Sequence, residues 1–456
     1  MRSKRPARAP AARALFLGLC AAALVAGAPA PAVAQAPTGL AAAIEDADGP
    51  REIRAFYRAR SHRPLWIRAG AVGPEAAMLV RLIETAELDG LDPDDYRPRA
   101  LASALEKAES GTFKALARAE MALSRSFALL ARDMRRPREV GMHYADAELR
   151  PEAPGLRRML EGAAAAPSLP AYMDGLGWMN PVYARLREAA ARSGLSERAD
   201  PSAAELVRVN LDRARALPAP EPGKRFVLVD AAAARLWMYE GARVAGTMRV
   251  VVGKPEEATP MMAGLIRYAS VNPYWNIPPD LVRIRVAPGA IEQGPKFLRA
   301  KRFEVLSGWE ENARVVSPAT INWAAVRSGR VDARVRQLPG PNNAMGRIKF
   351  MFPNQLGIYL HDTPEKALMR EDDRLFSSGC VRVEDSARLA RWLFGKPVST
   401  KAKMPEKRVD LAEPVPVYIT YLTVAVKGED LAFRPDVYGR DRVRLAGGGG
   451  ERLASR

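Results

Sequence analysis

Ser377-Ser378-Gly379-Cys380-Val381-Arg382 places a thiol in a glycine-flanked turn, and His361 lies eighteen intervening residues upstream. The thiolate is the reactive form of cysteine, and a nearby imidazole promotes it. A Cys–His pair suits acyl transfer: sulphur attacks a carbonyl and imidazole moves the proton. The chain has two cysteines. The other, Cys20, lies in a leader-like segment whose removal would leave one thiol. Exported proteins usually pair their cysteines, so a single one is an accident or a nucleophile. The plainer reading makes Cys380 a small buried hydrophobe and His361 a satisfied strand-end residue. Spacing alone does not decide between the two.

The residues around the pair suggest further roles. Gly379 permits close approach and unusual backbone angles. The amides of Gly379 and Cys380 are candidates to face a developing oxyanion. Ser378 either bonds near the thiol or shapes the turn. Arg382 either grips a substrate carboxylate with two bonds or forms a structural ion pair. Tyr359, two residues before His361, belongs to the active face or to the core. Trp275 packs an inserted segment or lines the cleft. The group that orients His361 stays open: Asp362 follows it, but strand neighbours point to opposite faces, and a backbone carbonyl would serve. His62 and His143 read as structural. The chain contains no H-E-x-x-H, C-x-x-C or P-loop pattern, so neither a metal nor a nucleotide cofactor is expected. The absence of S-x-x-K removes one familiar serine-acylation arrangement.

These residues must be mounted on something. A β-rich stretch begins at 225: Arg225–Asp230, Leu236–Tyr239 and Val244–Val252 are short β-branched and aromatic runs, with a hairpin turn at Glu240-Gly241. Gly357–His361 and Val415–Val426 read as further strands, and 384–393 as a short helix closed by Gly395. The weakly periodic, basic stretch 280–345 reads as an inserted cap over a cleft. Before the β region, residues 51–217 are helical: Leu116, Leu123, Phe127, Leu130 and Met134 fall on one helix face. The expected class is therefore α+β. A helical scaffold domain (51–217) and a linker (218–224) precede a mostly-β catalytic domain (225–441). Residues 35–50 read as a flexible lead-in and 442–456 as a disordered tail.

Residues 1–34 resemble a Sec-type signal peptide: basic residues from Arg2 to Arg13, an apolar run from Leu15, and Ala32-Val33-Ala34 before Gln35. A periplasmic location follows, with a retained N-terminal anchor as the other reading. The formal net charge is +18. Such a charge favours anionic polymers or lipid surfaces. No nucleic-acid-binding module accompanies it, so nucleic acid is not an expected partner.

His361-Asp362-Thr363-Pro364 and Arg374-Leu375-Phe376-Ser377-Ser378-Gly379-Cys380-Val381-Arg382-Val383 resemble the active-site signature of L,D-transpeptidases with a YkuD-type catalytic domain. Asn210-Leu211-Asp212-Arg213, Met248 to Gly253 with Thr259-Pro260, Asn272 to Pro278, Gln337 to Gly346 and Tyr438-Gly439-Arg440-Asp441 agree in order. Ser-Ser-Gly-Cys, with Phe56-Tyr57 and Pro64-Leu65-Trp66, resembles the large periplasmic YcbB-like branch. The resemblance implies that Cys380 attacks a peptidoglycan tetrapeptide stem at meso-diaminopimelate, D-Ala leaves, and a second diaminopimelate amine takes the acyl group in a 3–3 link. It implies His361 as the proton carrier, no cofactor, and covalent inhibition by carbapenems. Cell-wall synthesis proteins are the natural partners. The chain departs from that branch in lacking a recognisable peptidoglycan-binding module before Asn210. Two rival readings stand: a related Cys–His enzyme that attaches proteins or D-amino acids to the wall or hydrolyses such links, and a non-catalytic wall-binding scaffold.

Overall fold

The computed structural model describes residues 38–195, 200–310 and 312–447. The expected signal segment, with Cys20, lies outside them. The described chain is α+β, with a helical N-terminal region followed by a mostly-β one.

The helical region is built on Phe113–Arg135. Thr112 caps its start by accepting from the Ala115 N–H at 3.4 Å. Leu116, Leu123, Phe127, Leu130 and Met134 are all buried along one face. Phe127 is the centre of an edge-to-face cluster with Trp66 and Trp178, at centroid distances of 5.6 and 5.2 Å. The lead-in expected over 35–50 is corrected in part. Thr38–Glu45 is a helix, and Leu40 and Ile44, one turn apart, enter the same core. An Ala/Pro-rich composition hid an apolar stripe of only two large residues.

The β region closes on itself. Ile348–Met351, Leu360–His361, Val381–Val383, Arg243–Gly253, Arg235–Glu240, Arg225–Asp230, Lys407–Thr420 and Met262–Val271 are neighbours in that order, and Met262–Val271 pairs back onto Ile348–Met351. Closure removes the open edges that would otherwise invite pairing with another chain. The interior is apolar, with Val227, Leu236, Val250, Ile266, Phe350, Leu360, Val381 and Val417 among its fully buried side chains. His143–Tyr144, from the helical half, adds a parallel strand beside Met262–Ala263. The two halves therefore share one sheet.

Between two barrel strands the chain leaves to form an inserted subdomain. It has its own four-stranded sheet of Val315–Val316, Phe303–Leu306, Arg334–Gln337 and Trp275–Ile277. It also has its own core of Ile277, Val282, Val286, Leu298, Val305 and Val335. The stretch expected as a cap is thus a folded unit, and it begins at Trp275 rather than 280. The tail expected to be disordered from 442 is corrected as well. Arg440–Ala446 is a helix, anchored by an ion pair of Asp441 with Arg213. Residues 448–456 lie outside the described part.

Candidate active site

Two short parallel strands carry the chemistry. Leu360 pairs with Val381 and His361 with Arg382. This register brings the end of one strand beside the turn that opens the other, so His361 and Cys380 line the same cleft of about 800 Å³. The strand expected over 357–361 is only Leu360–His361. Gly357 sits at φ +64° in a preceding turn that Asn354 ties down by donating to the Phe352 and Ile358 carbonyls.

His361 is 2% exposed. Its Nδ1 lies 2.6 Å from the carbonyl oxygen of Asp362. A carbonyl only accepts, so Nδ1 carries the hydrogen and Nε2 is left as the base. The question left open by the sequence is answered by the backbone: the carbonyl of Asp362 orients the imidazole. The Asp362 carboxylate is engaged elsewhere, accepting from the Lys366 ammonium at 2.7 Å and the Arg347 N–H at 2.9 Å. Burial pushes that carboxyl up, but Lys366 and these N–H bonds hold it below its ordinary value. Burial and then the nearby Arg382 charge push the His361 pKa down to about 3.

Cys380 is half-buried and unpaired. Its Sγ lies 3.5 Å from the Gly357 carbonyl. Burial pushes the thiol above its ordinary value; the Tyr359 N–H and the charges of Arg382 and Lys349 pull the other way without reversing it. The resting pair is therefore neutral imidazole and neutral thiol, not an ion pair. Chemistry at sulphur then needs Nε2 to take the proton as the new bond forms.

The turn is held from behind. Ser377 Oγ donates to the Cys380 carbonyl at 2.6 Å. Gly379 has φ +102°, a conformation that favours glycine. Thr259 Oγ1 donates to the Gly379 carbonyl at 2.8 Å and accepts from the Gly253 N–H at 2.8 Å. Tyr438 OH donates to the Gly253 carbonyl at 2.6 Å, and Arg440 to the Thr259 carbonyl at 2.7 Å. After Val383, the helix Ser386–Phe394 starts with Asp385 accepting from the Arg388 N–H and ends at Gly395, with φ +67°.

The other expected residues divide. Tyr359 lines the cleft, half-buried, with the Lys349 ammonium 5.7 Å from its ring centre. Ser378 accepts from Arg285 at 2.7 Å. Arg382 pairs with Glu365, so its guanidinium is already engaged. Trp275 lines the cleft from the inserted subdomain and also packs on that subdomain's core.

Residues 224–417 match the model of the L,D-transpeptidase catalytic domain, and residues 51–189 that of the Scaffold domain. Residues 224–417 belong to the L,D-transpeptidase catalytic domain family. The chain is similar to a Haemophilus influenzae protein named "Putative L,D-transpeptidase", with 31% identity over 246 residues, 52% of this chain and 48% of that protein. The chain thus spans about half the length of this curated relative. A solved structure described as "Structure of the Ldtfm-avibactam carbamoyl enzyme" aligns over 43% of this chain and 48% of its own, at 13% identity and a TM-score of 0.21. Within the transpeptidase domain, sequence reasoning assigned no role to Thr259, Arg285, Lys349 or Glu365. Thr259 stands in the Thr259-Pro260 pair that follows Met248 to Gly253. The other three had no local signal, because only long-range contacts bring Arg285 and Glu365 to the cleft and Lys349 opposite His361 on the neighbouring strand.

Proposed function

We propose that the protein is a peptidoglycan L,D-transpeptidase that forms 3–3 cross-links. The observation that carries this reading is one buried imidazole on a strand and one thiol in the turn that opens the adjacent parallel strand, both facing one cleft of an L,D-transpeptidase domain.

In the first step Cys380 Sγ attacks the carbonyl carbon of meso-diaminopimelate in a donor tetrapeptide. His361 Nε2 takes the thiol proton. The carbonyl oxygen becomes an oxyanion, for which the Gly379 and Cys380 amides are the candidate donors. The C–N bond to D-Ala breaks as His361 returns the proton to the leaving amine, and a thioester remains. In the second step the side-chain amine of an acceptor diaminopimelate attacks the thioester. Its proton passes through His361 to the departing sulphur, which restores the thiol. Neither step needs an oxidant or a metal. A neutral resting pair fits this sequence, because the imidazole starts ready to accept a proton.

The same reading places the protein in the periplasm, exported by residues 1–34. It makes Cys380 the site of carbapenem acylation and cell-wall synthesis proteins its natural neighbours. The test is mass spectrometry of muropeptides after incubation of the mature protein with disaccharide-tetrapeptide. The expected product is a 3–3 linked dimer lacking one D-Ala. Cys380→Ala should abolish it, a loss beyond about 1,000-fold. A tripeptide without dimer would instead indicate hydrolysis or another acceptor. No product and no carbapenem adduct would sink the enzymatic reading.

A further inference from the structure

Of the two roles open to Arg382, a carboxylate grip and a structural ion pair, the structure shows the second. Glu365 already engages it, and its side chain is only 14% exposed. A second arginine reaches the nucleophile turn from the inserted subdomain. Arg285 belongs to the Val282–Val286 segment of the inserted subdomain and lines the same cleft. Its Nη2 donates to Ser378 Oγ at 2.7 Å, two residues before Cys380. Its side chain is 39% exposed, and it also meets Glu257 at 3.4 Å. Glu257 is shared with Lys254 at 3.7 Å. Two cations around one carboxylate leave net positive charge beside the turn. Ser378 is a neutral partner, which a charged one would displace.

We propose that Arg285 binds the terminal carboxylate of the donor's leaving D-Ala, an assignment that rests on the transpeptidase reading above. The chemistry of the donor requires such a charge close to sulphur. In a tetrapeptide, only the D-Ala nitrogen and Cα separate the scissile carbonyl carbon from the carboxylate carbon. The two carbons are therefore within ~4 Å of each other. Arg285 bonds Ser378, two residues before the nucleophile, and lines the same cleft as Cys380. Its planar fork matches a carboxylate with two parallel bonds. A pentapeptide carries its carboxylate one residue further, ~3.8 Å away along the chain. Arg285 thus selects tetrapeptide over pentapeptide donors. Its placement on the inserted subdomain means that donor selection and the nucleophile come from separate folded units.

The experiment measures the rate of acyl-enzyme formation at Cys380 by intact-protein mass spectrometry. Two donors are compared: disaccharide-tetrapeptide with a free C-terminal carboxylate, and the same molecule as its C-terminal carboxamide. Wild-type protein should prefer the acid by about 10- to 100-fold. Arg285→Gln should bring the two donors to within about threefold, mainly through a higher KM for the acid. Arg285→Lys should keep part of the preference. Iodoacetamide alkylation of Cys380 should stay within about twofold of wild type in both variants, which reports an intact turn. Arg285→Gln with the full acid preference retained overturns the assignment. So does a variant whose alkylation falls along with its acylation, since Arg285 would then only prop the turn. A wild type acylated equally by both donors also overturns it and leaves the transpeptidase reading standing. No acylation of wild type by either donor overturns both.

Discussion

Glu120 in the helical half and His361 in the β half are both buried, yet the protein treats them in opposite ways. Glu120 is surrounded by donors: the Leu65, Trp66 and Ile67 N–H groups and the Tyr57 hydroxyl all point at its carboxylate. Burial raises its pKa, and those four donors work against the rise. The result is a polar rivet between the 113–135 helix and the 65–67 segment. Among the described residues, the hydrogen-bond partner of His361 is the Asp362 carbonyl, and the Asp362 carboxylate pulls its pKa up too little to keep it charged. It stays neutral, with Nε2 uncommitted. A buried polar group with every bond satisfied holds a fold together. One left short of a bond is available for chemistry.

The strongest way to break this contrast is at Glu120. Glu120→Ala would leave three backbone N–H groups buried without an acceptor. Each such group costs about 1–3 kcal/mol, and local relaxation recovers part of the total. The expected loss is about 3 kcal/mol in urea unfolding at neutral pH. Glu120→Gln should lose less, because it keeps an acceptor oxygen. A loss under about 1 kcal/mol for the alanine variant would mean the rivet is not structural.

His361 sharpens the contrast through pH. Its folded pKa is about 3 and its ordinary value 6.5. Between those values the unfolded chain binds a proton that the folded chain refuses. Stability therefore falls as pH falls, and the contribution is fully present above 6.5. His361→Asn does not titrate. The stability of wild type relative to this variant should drop by about 2 kcal/mol between pH 7.5 and pH 5. Parallel urea series on the two proteins measure it. A difference that stays constant would give His361 an unshifted pKa in the fold, and one that grows in acid would place a stabilised imidazolium there and restore the ion-pair picture of the site.

What could be read from the sequence follows the range of the interactions. The 113–135 helix was legible because its apolar spacing is local. So was the short helix after Val383, since Asp385 and Gly395 mark its ends by their own chemistry. Cys380 and His361 were legible by residue type and by the glycine between Ser378 and the thiol. Barrel closure was not legible, because the pairing of Ile348–Met351 with Met262–Val271 leaves no short-range mark. The strand before His361 was overextended because Gly357 takes a left-handed turn that its strand-forming neighbours Ile358 and Tyr359 conceal. Arg285 went unnoticed because it looks like any basic residue of a weakly periodic insertion. Only the folded subdomain carries it to Ser378.

Thr259 offers the smallest and most discriminating test. Its hydroxyl links the Gly253 N–H to the Gly379 carbonyl, so it fixes the peptide just before the nucleophile. It is a positioning residue, not a catalytic one. Thr259→Val keeps the shape and removes both bonds. The turn should then sample positions from which Sγ addresses the donor less often, and kcat for acylation should fall about tenfold with KM nearly unchanged. Thr259→Ser, which keeps the hydroxyl, should recover most of the rate. The kcat-against-KM split and the serine rescue separate positioning from general destabilisation, which would move both parameters and would not follow the hydroxyl. A valine variant at wild-type rate would mean that Ser377 and the strand pairing of Val381 hold the turn unaided. The brace running from Arg440 through Thr259 would then serve stability alone.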